Sequence, residues 1–293
     1  MKLAFSLYEV SPTCKGALIR CEGGYSVLHP LEAWGDKPLA WHLEYPSLSP
    51  LMKRALHFAH LDSRGRREGI PLLKGKTLPK SHRLVTDLSN FQGAKGFTRV
   101  KVKVGKKPSK EIARLHEWIP LLEEEGLLLR LDFNLQLTHE QFHAYMGEIK
   151  LLHPLIEFIE DPFVYEEESW EEEMAFWRCT FALDQDSERG IGKPRSAPIL
   201  VVKPLRQDEE PFYKAKGQKI IVTSLLDHPL GQTQAAYIAS KFPPEIGGLL
   251  SHKVFMSNPF SHMIEGEGSS FKPPPGTGFG FDALLEKEEW TYV

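Results

Sequence analysis

Two lysines, three acids and a third lysine follow one another along the chain, each near the end of a short apolar run. Lys101 and Lys103 close FTRVKVKV, Asp132 closes LLLRLDFN, Glu160 closes LIEFIEDP, Asp184 closes TFALDQD, and Lys203 closes PILVVKP. One polar residue at a strand end marks only the place where the chain leaves the core. Five consecutive runs in the order lysine, acid, acid, acid, lysine are hard to ascribe to that cause. Three carboxylates converging on one space repel, and at least one of them titrates well above its ordinary range unless a cation lies among them. Oxygen ligands with no His or Cys beside them favour Mg2+, with Mn2+ as its substitute, over Zn2+. Amines flanking such a metal suit proton transfer next to a carboxylate, because the metal stabilises the enediolate that loss of an α-proton builds. A lysine held near other cations can titrate toward ~7–8 and serve as the base. Lys101 and Lys103 are two apart in a strand, so they face the same way and each disfavours protonation of the other. The expected partner is a small-molecule carboxylate.

These residues meet only if their runs lie side by side. From about residue 82, seven apolar runs alternate with amphipathic stretches: HRLVTDL, FTRVKVKV, LLLRLDFN, LIEFIEDP, TFALDQD, PILVVKP and KIIVTSLL. Ile112, Leu115, Ile119 and Leu122 recur at helical spacing, with Gly126 as the residue that stops the helix. Thr138 reads as the N-cap of a second helix whose buried face is Phe142, Tyr145, Ile149 and Leu152. Strands alternating with helices make right-handed βαβ units and a parallel sheet, and seven runs suggest a closed barrel. Charges at the C-terminal ends of barrel strands point into the mouth where barrels carry their chemistry. Arg130 and Asn134 share a face with Asp132 and read equally as partners of the site or as structural hydrogen-bonding groups. Asp186 shares a face with Asp184; Asp184, directly at the run's end, is preferred as the third ligand.

Residues 1 to about 80 are less regular, with strand-like LAFSLYEV and ALIRC and helix-like PLMKRALHFAHL. Trp34 within GYSVLHPLEAWGD reads equally as part of a loop closing over substrate or as an ordinary turn. The acidic run Glu166 to Glu173 reads as a solvated helix face. Hydrophobic content of 41% and charged content of 26% exclude a disordered chain, a collagen and a coiled coil. A net charge of -3 gives no drive toward nucleic acid or an anionic membrane. The N-terminus lacks signal-peptide features, and no apolar run is long enough to span a bilayer. Cys14, Cys21 and Cys179 give neither a disulfide framework nor a zinc site and favour a reduced, cytoplasmic setting. No G-x-G-x-x-G follows the first strand, which weakens a dinucleotide-binding reading.

At GFTRVKVKVG, RLDFN, EFIEDP, ALDQD and VVKP the sequence resembles the enolase superfamily. From Lys103 to Asp132 is 29 positions, then 28 to Glu160, 24 to Asp184 and 19 to Lys203, and this spacing matches as well. PPPGTGFGFD resembles the Pro-Gly-rich stretch near the end of family members. The resemblance implies an α/β fold: a modified TIM-type (β/α)7β barrel over residues 82–271. A small, reduced α+β capping domain would cover residues 1–81, with the segment about 272–293 packing near it. K-x-K with one downstream lysine resembles the muconate lactonizing subgroup, whereas mandelate racemase-like members use a His-Asp pair. VTSLLDHPLGQTQAAYIA is similar to the seventh-strand region of o-succinylbenzoate synthases. Thr223, Ser224, Asp227 and Gly231 stand there at the places of a Ser-Ser/acidic/Leu-Gly pattern. Thr for the first Ser and Asp for the usual Glu are departures. Thr223 and Ser224 would touch substrate or be plain strand-end hydroxyls. The eighth-strand region SHKVFMSNPFSHMI lacks the D-x-D signature of dipeptide epimerases.

The resemblance implies a Mg2+-dependent lyase of menaquinone biosynthesis. Mg2+ would be held by Asp132, Glu160 and Asp184, with Lys103 as base and then acid, Lys203 as the cation on the opposite face and Lys101 as a positioning cation. An N-acylamino acid racemase using Lys103 and Lys203 as opposed bases is the alternative, and a non-catalytic barrel relative is a third. A monomer is expected.

Overall fold

The protein is described here by a computed structural model covering residues 2–11, 14–254 and 258–292. Two compact units emerge, one of residues 1–80, 203–208 and 222–293, the other of residues 81–202 and 209–221.

The first unit is built on an antiparallel sheet. Strands β1 (Leu3–Ser11), β2 (Cys14–Cys21) and β3 (Gly24–Leu28) lie in chain order, and a short C-terminal strand, Thr291–Tyr292, pairs with β1. Helix α1 (Leu39–Glu44) precedes helix α2 (Pro50–Arg67). Ser49 starts α2 by accepting a hydrogen bond from Met52 N at 2.9 Å, and Pro50 occupies the first turn, where its missing N–H costs nothing. Leu51, Met52, Ala55 and Ala59 of α2 pack with Leu3, Ala17, Ile19, Cys21 and Leu28 of the sheet into one apolar core. Asp62, buried on the same helix, accepts from Tyr25 N at 2.8 Å and Phe279 N at 2.6 Å, which ties the C-terminal segment to the helix.

The second unit carries the parallel sheet. Strands β4 (Arg83–Val85), β5 (Arg99–Lys103), β6 (Leu128–Asp132), β7 (Ile156–Glu160), β8 (Phe181–Leu183), β9 (Ile199–Val202) and β10 (Lys219–Val222) are neighbours in chain order. All seven apolar runs therefore become strands. Parallel pairing runs from β4 to β9. Side chains alternate as the pleat demands. Val100, Val102, Leu129, Leu131, Ile159, Leu183, Leu200 and Val202 are buried on one face. The other face carries Lys101, Lys103, Arg130, Asp132, Glu160 and the apolar cluster Phe158, Ala182, Ile199, Val201 and Ile221. Helices α3 (Pro108–Glu124), α4 (His139–Glu148) and α5 (Glu167–Trp177) follow β5, β6 and β7. Thr138 caps α4 in a reciprocal capping box with Gln141, and Gly126, at φ 61°, lies just past α3.

Several sequence expectations change here. After β8 and β9 the links contain single 3-10 turns, Ser187–Gly190 and Glu210–Lys214, in place of full helices. The acidic run is not wholly solvated. Glu173 is buried, because its carboxylate accepts from the Trp177 indole at 2.6 Å and meets the rings of His139 and His143 at 2.9 Å. Past β10 the chain forms helix α6 (Pro229–Ala239), buried on nearly every side. In the expected eighth-strand region, residues 255–257 lie outside the described residues, and a 3-10 turn, Ser251–Val254, and a helix, Pro259–Ile264, flank them. No described helix is long and apolar enough to cross a membrane.

A buried polar contact in the first unit sets an acid limit to stability. His29 Nδ1 lies 2.8 Å from the Tyr8 hydroxyl and Nε2 lies 3.2 Å from Cys14 Sγ. Burial, reinforced by the Arg206 charge, pulls the His29 pKa down from 6.5 to about 4. The unfolded chain therefore takes up a proton near pH 6.5 that the folded chain refuses until about pH 4. Unfolding free energy should fall across that window as pH drops, and His29→Gln should flatten the slope. A denaturant series at pH 7, 5.5 and 4.5 measures it; equal slopes in both proteins defeat this account.

Candidate active site

The site grows out of strand register. Lys103 of β5 pairs with Asp132 of β6, and Asp132 with Glu160 of β7, so these three side chains stand in one row. Glu160 pairs with Ala182, which places Asp184 on the same face two residues further along. Strands of such a sheet tilt, and a shear of 8 over eight strands advances the level by roughly one residue per strand. The offset of Asp184 keeps it with the row.

The ladder continues past the strand ends and fixes the backbone of each residue. Val104 N donates to Asp132 O at 2.9 Å, Phe133 N to Glu160 O at 3.0 Å, and Asp161 N to Ala182 O at 3.1 Å. Glu111 of α3 reaches back to accept from Gly105 N at 2.7 Å and Lys107 N at 2.8 Å, which holds the loop after Lys103.

The three carboxylates are withdrawn from water: Asp132 is 2%, Glu160 1% and Asp184 6% exposed. Lys101 starts one layer lower, level with Arg130 and Phe158, and extends its amine upward. Its Nζ lies 2.6 Å from Glu160 Oε1 and 2.9 Å from Asp132 Oδ2. Burial alone would lower the Lys101 pKa, but the Asp132, Glu160 and Asp184 charges outweigh it and raise it. Lys101 is thus held as a cation by the acids, which outweighs the mutual depression expected between neighbouring lysines. Lys103 is more open, with a side chain 35% exposed and Nζ 3.6 Å from Asp132 Oδ2.

Asn134 links Lys103 to Asp132. Lys103 Nζ donates to Asn134 Oδ1 at 3.1 Å, and Asn134 Nδ2 donates to Asp132 Oδ1 at 2.6 Å. A lysine only donates and a carboxylate only accepts, so the amide orientation is fixed by its partners. Arg130 points the other way: Nε donates to Glu157 at 2.6 Å, one terminal nitrogen lies 3.1 Å from His82 Nδ1, and the guanidinium stacks 4.6 Å over Phe158. Of the two residues read equally above, Asn134 touches the site and Arg130 braces the layer below. Asp186 is exposed in a left-handed turn, φ 55°, while Asp184 is buried.

Sequence reasoning missed Asp161. Its carboxylate, buried, accepts from Asp184 N at 2.9 Å and Gln185 N at 3.0 Å, so it sets the backbone of the third acid. Burial, then the Asp184 and Glu160 charges, push its pKa well up. The signal was present as a second acid in EFIEDP, but it falls on the wrong strand parity. A φ of 44° turns it toward the next strand.

Lys203 follows β9 and belongs with the first unit. Its Nζ lies 4.8 Å from the centroid of Trp34, and the Arg206 guanidinium lies 5.2 Å from the same ring. Arg206 also binds Asp36, with one contact at 2.9 Å. The segment around Trp34 is therefore anchored by cations, with Trp34 in a 3-10 turn, Glu32–Trp34, and the preceding Gly24–Leu28 in β3. Ser224 donates to Gly248 O at 3.0 Å and meets Ser251 Oγ at 2.9 Å, whereas Thr223 Oγ1 is buried without a hydrogen bond. Asp227 is buried with both oxygens lacking a hydrogen bond, and burial raises its pKa well above the carboxylate range.

Solved structures share this architecture over nearly the whole chain. A mandelate racemase/muconate lactonizing enzyme from Roseiflexus sp. matches with a TM-score of 0.78 at 17% identity, covering 95% of this chain and 96% of that one. A dipeptide epimerase from Enterococcus faecalis V583 matches with a TM-score of 0.76 at 18% identity, covering 95% and 98%. This is the enolase-superfamily fold. Sequence likeness points to o-succinylbenzoate synthases. The family model for the O-succinylbenzoate synthase N-terminal domain matches residues 5–65. An o-succinylbenzoate synthase of Bdellovibrio bacteriovorus is 29% identical, over 99% of this chain and 98% of its own.

The donor set fits the hard divalent cation that superfamily members use. It is three carboxylates on adjacent strands, oxygen only, with one buried ammonium among them. Their oxygens do not all lie within 4.8 Å of one another; among the described residues only Cys21, Glu22 and His60 meet that spacing. Lys101 draws Asp132 and Glu160 to itself, and a divalent charge would compete for the same oxygens.

Asp161→Asn replaces one accepting oxygen by a donor that faces an N–H. Loss of such a supporting bond should weaken divalent-cation binding by ~10–100-fold. Calorimetric titration with Mg2+ measures this, with circular dichroism as the folding control. Unchanged affinity would mean that Asp161 serves only as a backbone strut.

Proposed function

We propose that the protein is an o-succinylbenzoate synthase, a carbon-oxygen hydro-lyase of menaquinone (vitamin K2) biosynthesis. It would dehydrate 2-succinyl-6-hydroxy-2,4-cyclohexadiene-1-carboxylate to o-succinylbenzoate. The observation that carries this reading is the half-open Lys103 amine, bonded to Asn134 and beside three buried carboxylates. Likeness along the whole chain to the Bdellovibrio synthase supports the choice of substrate. The substrate is a small carboxylate, and three free cysteines suit a reducing cytoplasm. The working form is a monomer.

Asp132, Glu160 and Asp184 would hold Mg2+ or Mn2+, which when bound would supply a Lewis acid for the substrate carboxylate. Lys103 takes the proton α to the carboxylate, and the electrons of that C–H bond pass onto the carboxylate as a second negative charge. Asn134 aims the amine by fixing it relative to Asp132. Lys103, now an ammonium, returns the proton to the ring hydroxyl as the C–O bond breaks, and water leaves. One amine serving both steps makes the elimination syn. Lys203 stabilises the doubly charged species. Lys101 holds Asp132 and Glu160 in place. The product ring is aromatic, so the second step runs strongly downhill and the first barrier is the one to lower.

Wild-type protein with Mg2+ should form o-succinylbenzoate. Lys103→Ala should lower kcat by ~10²–10⁴-fold, the usual contribution of a positioned acid–base group. An absorbance assay on the cyclohexadiene substrate reads both. No dehydration by wild type, together with deuterium exchange and inversion of N-succinyl amino acids, would transfer the assignment to a racemase.

A further inference from the structure

A second cluster of metal-type ligands lies in the first unit, built from elements the proposed reaction does not use. Cys21 ends β2, Glu22 opens the turn to β3, and His60 stands on α2. One ligand atom from each lies within 4.8 Å of the other two. Cys21 Sγ is 3.9 Å from His60 Nε2, and His60 Nε2 is 3.6 Å from Glu22 Oε2. A tetrahedral zinc with Zn–S near 2.3 Å and Zn–N or Zn–O near 2.0–2.1 Å has edges of roughly 3.5 Å from S to N and 3.3 Å from N to O. The observed spacings exceed these by a few tenths of an ångström. A small rotation of the two outer side chains closes the difference.

The backbone beneath the cluster is stiff. Glu22 and Gly23 both have positive φ, 51° and 80°, which makes a tight two-residue hairpin turn, and Cys21 pairs directly with Gly24. A side chain at Gly24 would meet Ala59 O at 1.9 Å, so strand and helix approach as closely as glycine permits. Ser63 Oγ donates to Glu22 O at 2.7 Å, which locks the turn onto α2. Cys21 is packed in the apolar core, whereas the His60 and Glu22 side chains are 50% and 58% exposed. The thiol is thus fixed from below while the imidazole and carboxylate are free to close from above. Sequence alone hides the set, since Cys21 and His60 are 39 positions apart with no C-x-x-C or H-x-x-H spacing.

We infer that Cys21, Glu22 and His60 form a surface site for a borderline-soft divalent ion, Zn2+ first, with water completing the tetrahedron. Sulfur and imidazole ligands select against Mg2+, so the site is chemically separate from the three carboxylates. Its test uses the full chain in saturating Mg2+, titrated with Co2+ as a spectroscopic probe. One equivalent should bind with a thiolate-to-cobalt charge-transfer band and tetrahedral visible bands, and Zn2+ should displace it. His60→Gln, an exposed change that leaves the core intact, should weaken binding at least tenfold. Cys21→Ser should abolish the charge-transfer band. Co2+ uptake without a thiolate band overturns the inference, as does a band undiminished in both variants. Cys14 or Cys179 would then be the ligand, or the pair would be a plain His–Glu contact. The thiolate band is independent of turnover, so neither result depends on the proposed dehydration.

Discussion

An ammonium held between two buried carboxylates is the contact on which the second unit's chemistry depends. Asp132, Glu160 and Asp184 stand out of water on one face of a parallel sheet, where isolated charges are costly. Lys101 offsets part of that cost by bridging Asp132 and Glu160. Removing one partner of a buried pair costs ~3–5 kcal/mol, because the other charge is left uncompensated. The surrounding groups answer the same need: Asn134 occupies an oxygen of Asp132, and Asp161 holds the Asp184 backbone in register. The bridge also leaves Lys103 as the half-exposed amine of the pair, so one lysine balances charge and the other keeps a side open to solvent.

Much of this was legible in the sequence, for one physical reason. Strand parity and the order of runs are local properties, and local properties survive folding. Lys101 and Lys103 on one face follow from the pleat alone, and the seven runs as neighbouring strands follow from their order. Thr138 as an N-cap was readable for the same reason. What escaped depends on partners from distant segments or on backbone reversal. Asp161 reads as facing away until its positive φ is known. Arg130 shares the face of Asp132, but Glu157 and His82 draw it to the other end of the sheet. Glu173 looks solvated within EEESWEEE, yet two histidines of α4 close over it together with the Trp177 indole one turn along its own helix. Ser224 and Thr223 read alike, and only the carbonyl of Gly248 distinguishes them.

The first unit manages buried polarity differently. Tyr8, His29 and Cys14 satisfy one another as neutral groups, and burial keeps His29 uncharged well below its ordinary range. Asp227 has no hydrogen bond to its carboxylate, and burial favours its neutral form. At His29 this burial without a paired carboxylate comes at the cost of acid sensitivity.

That difference bears on the two outer lysines. Lys101 is held by carboxylates that cancel its charge, whereas Lys203 rests against the face of Trp34. A cation over an aromatic face is stabilised by ~0.5–2 kcal/mol without being neutralised, since the ring brings a quadrupole and no net charge. The Trp34 ring thus holds the Lys203 amine without cancelling its charge. A carboxylate in place of Trp34 would instead pair with the ammonium and cancel its field at short range.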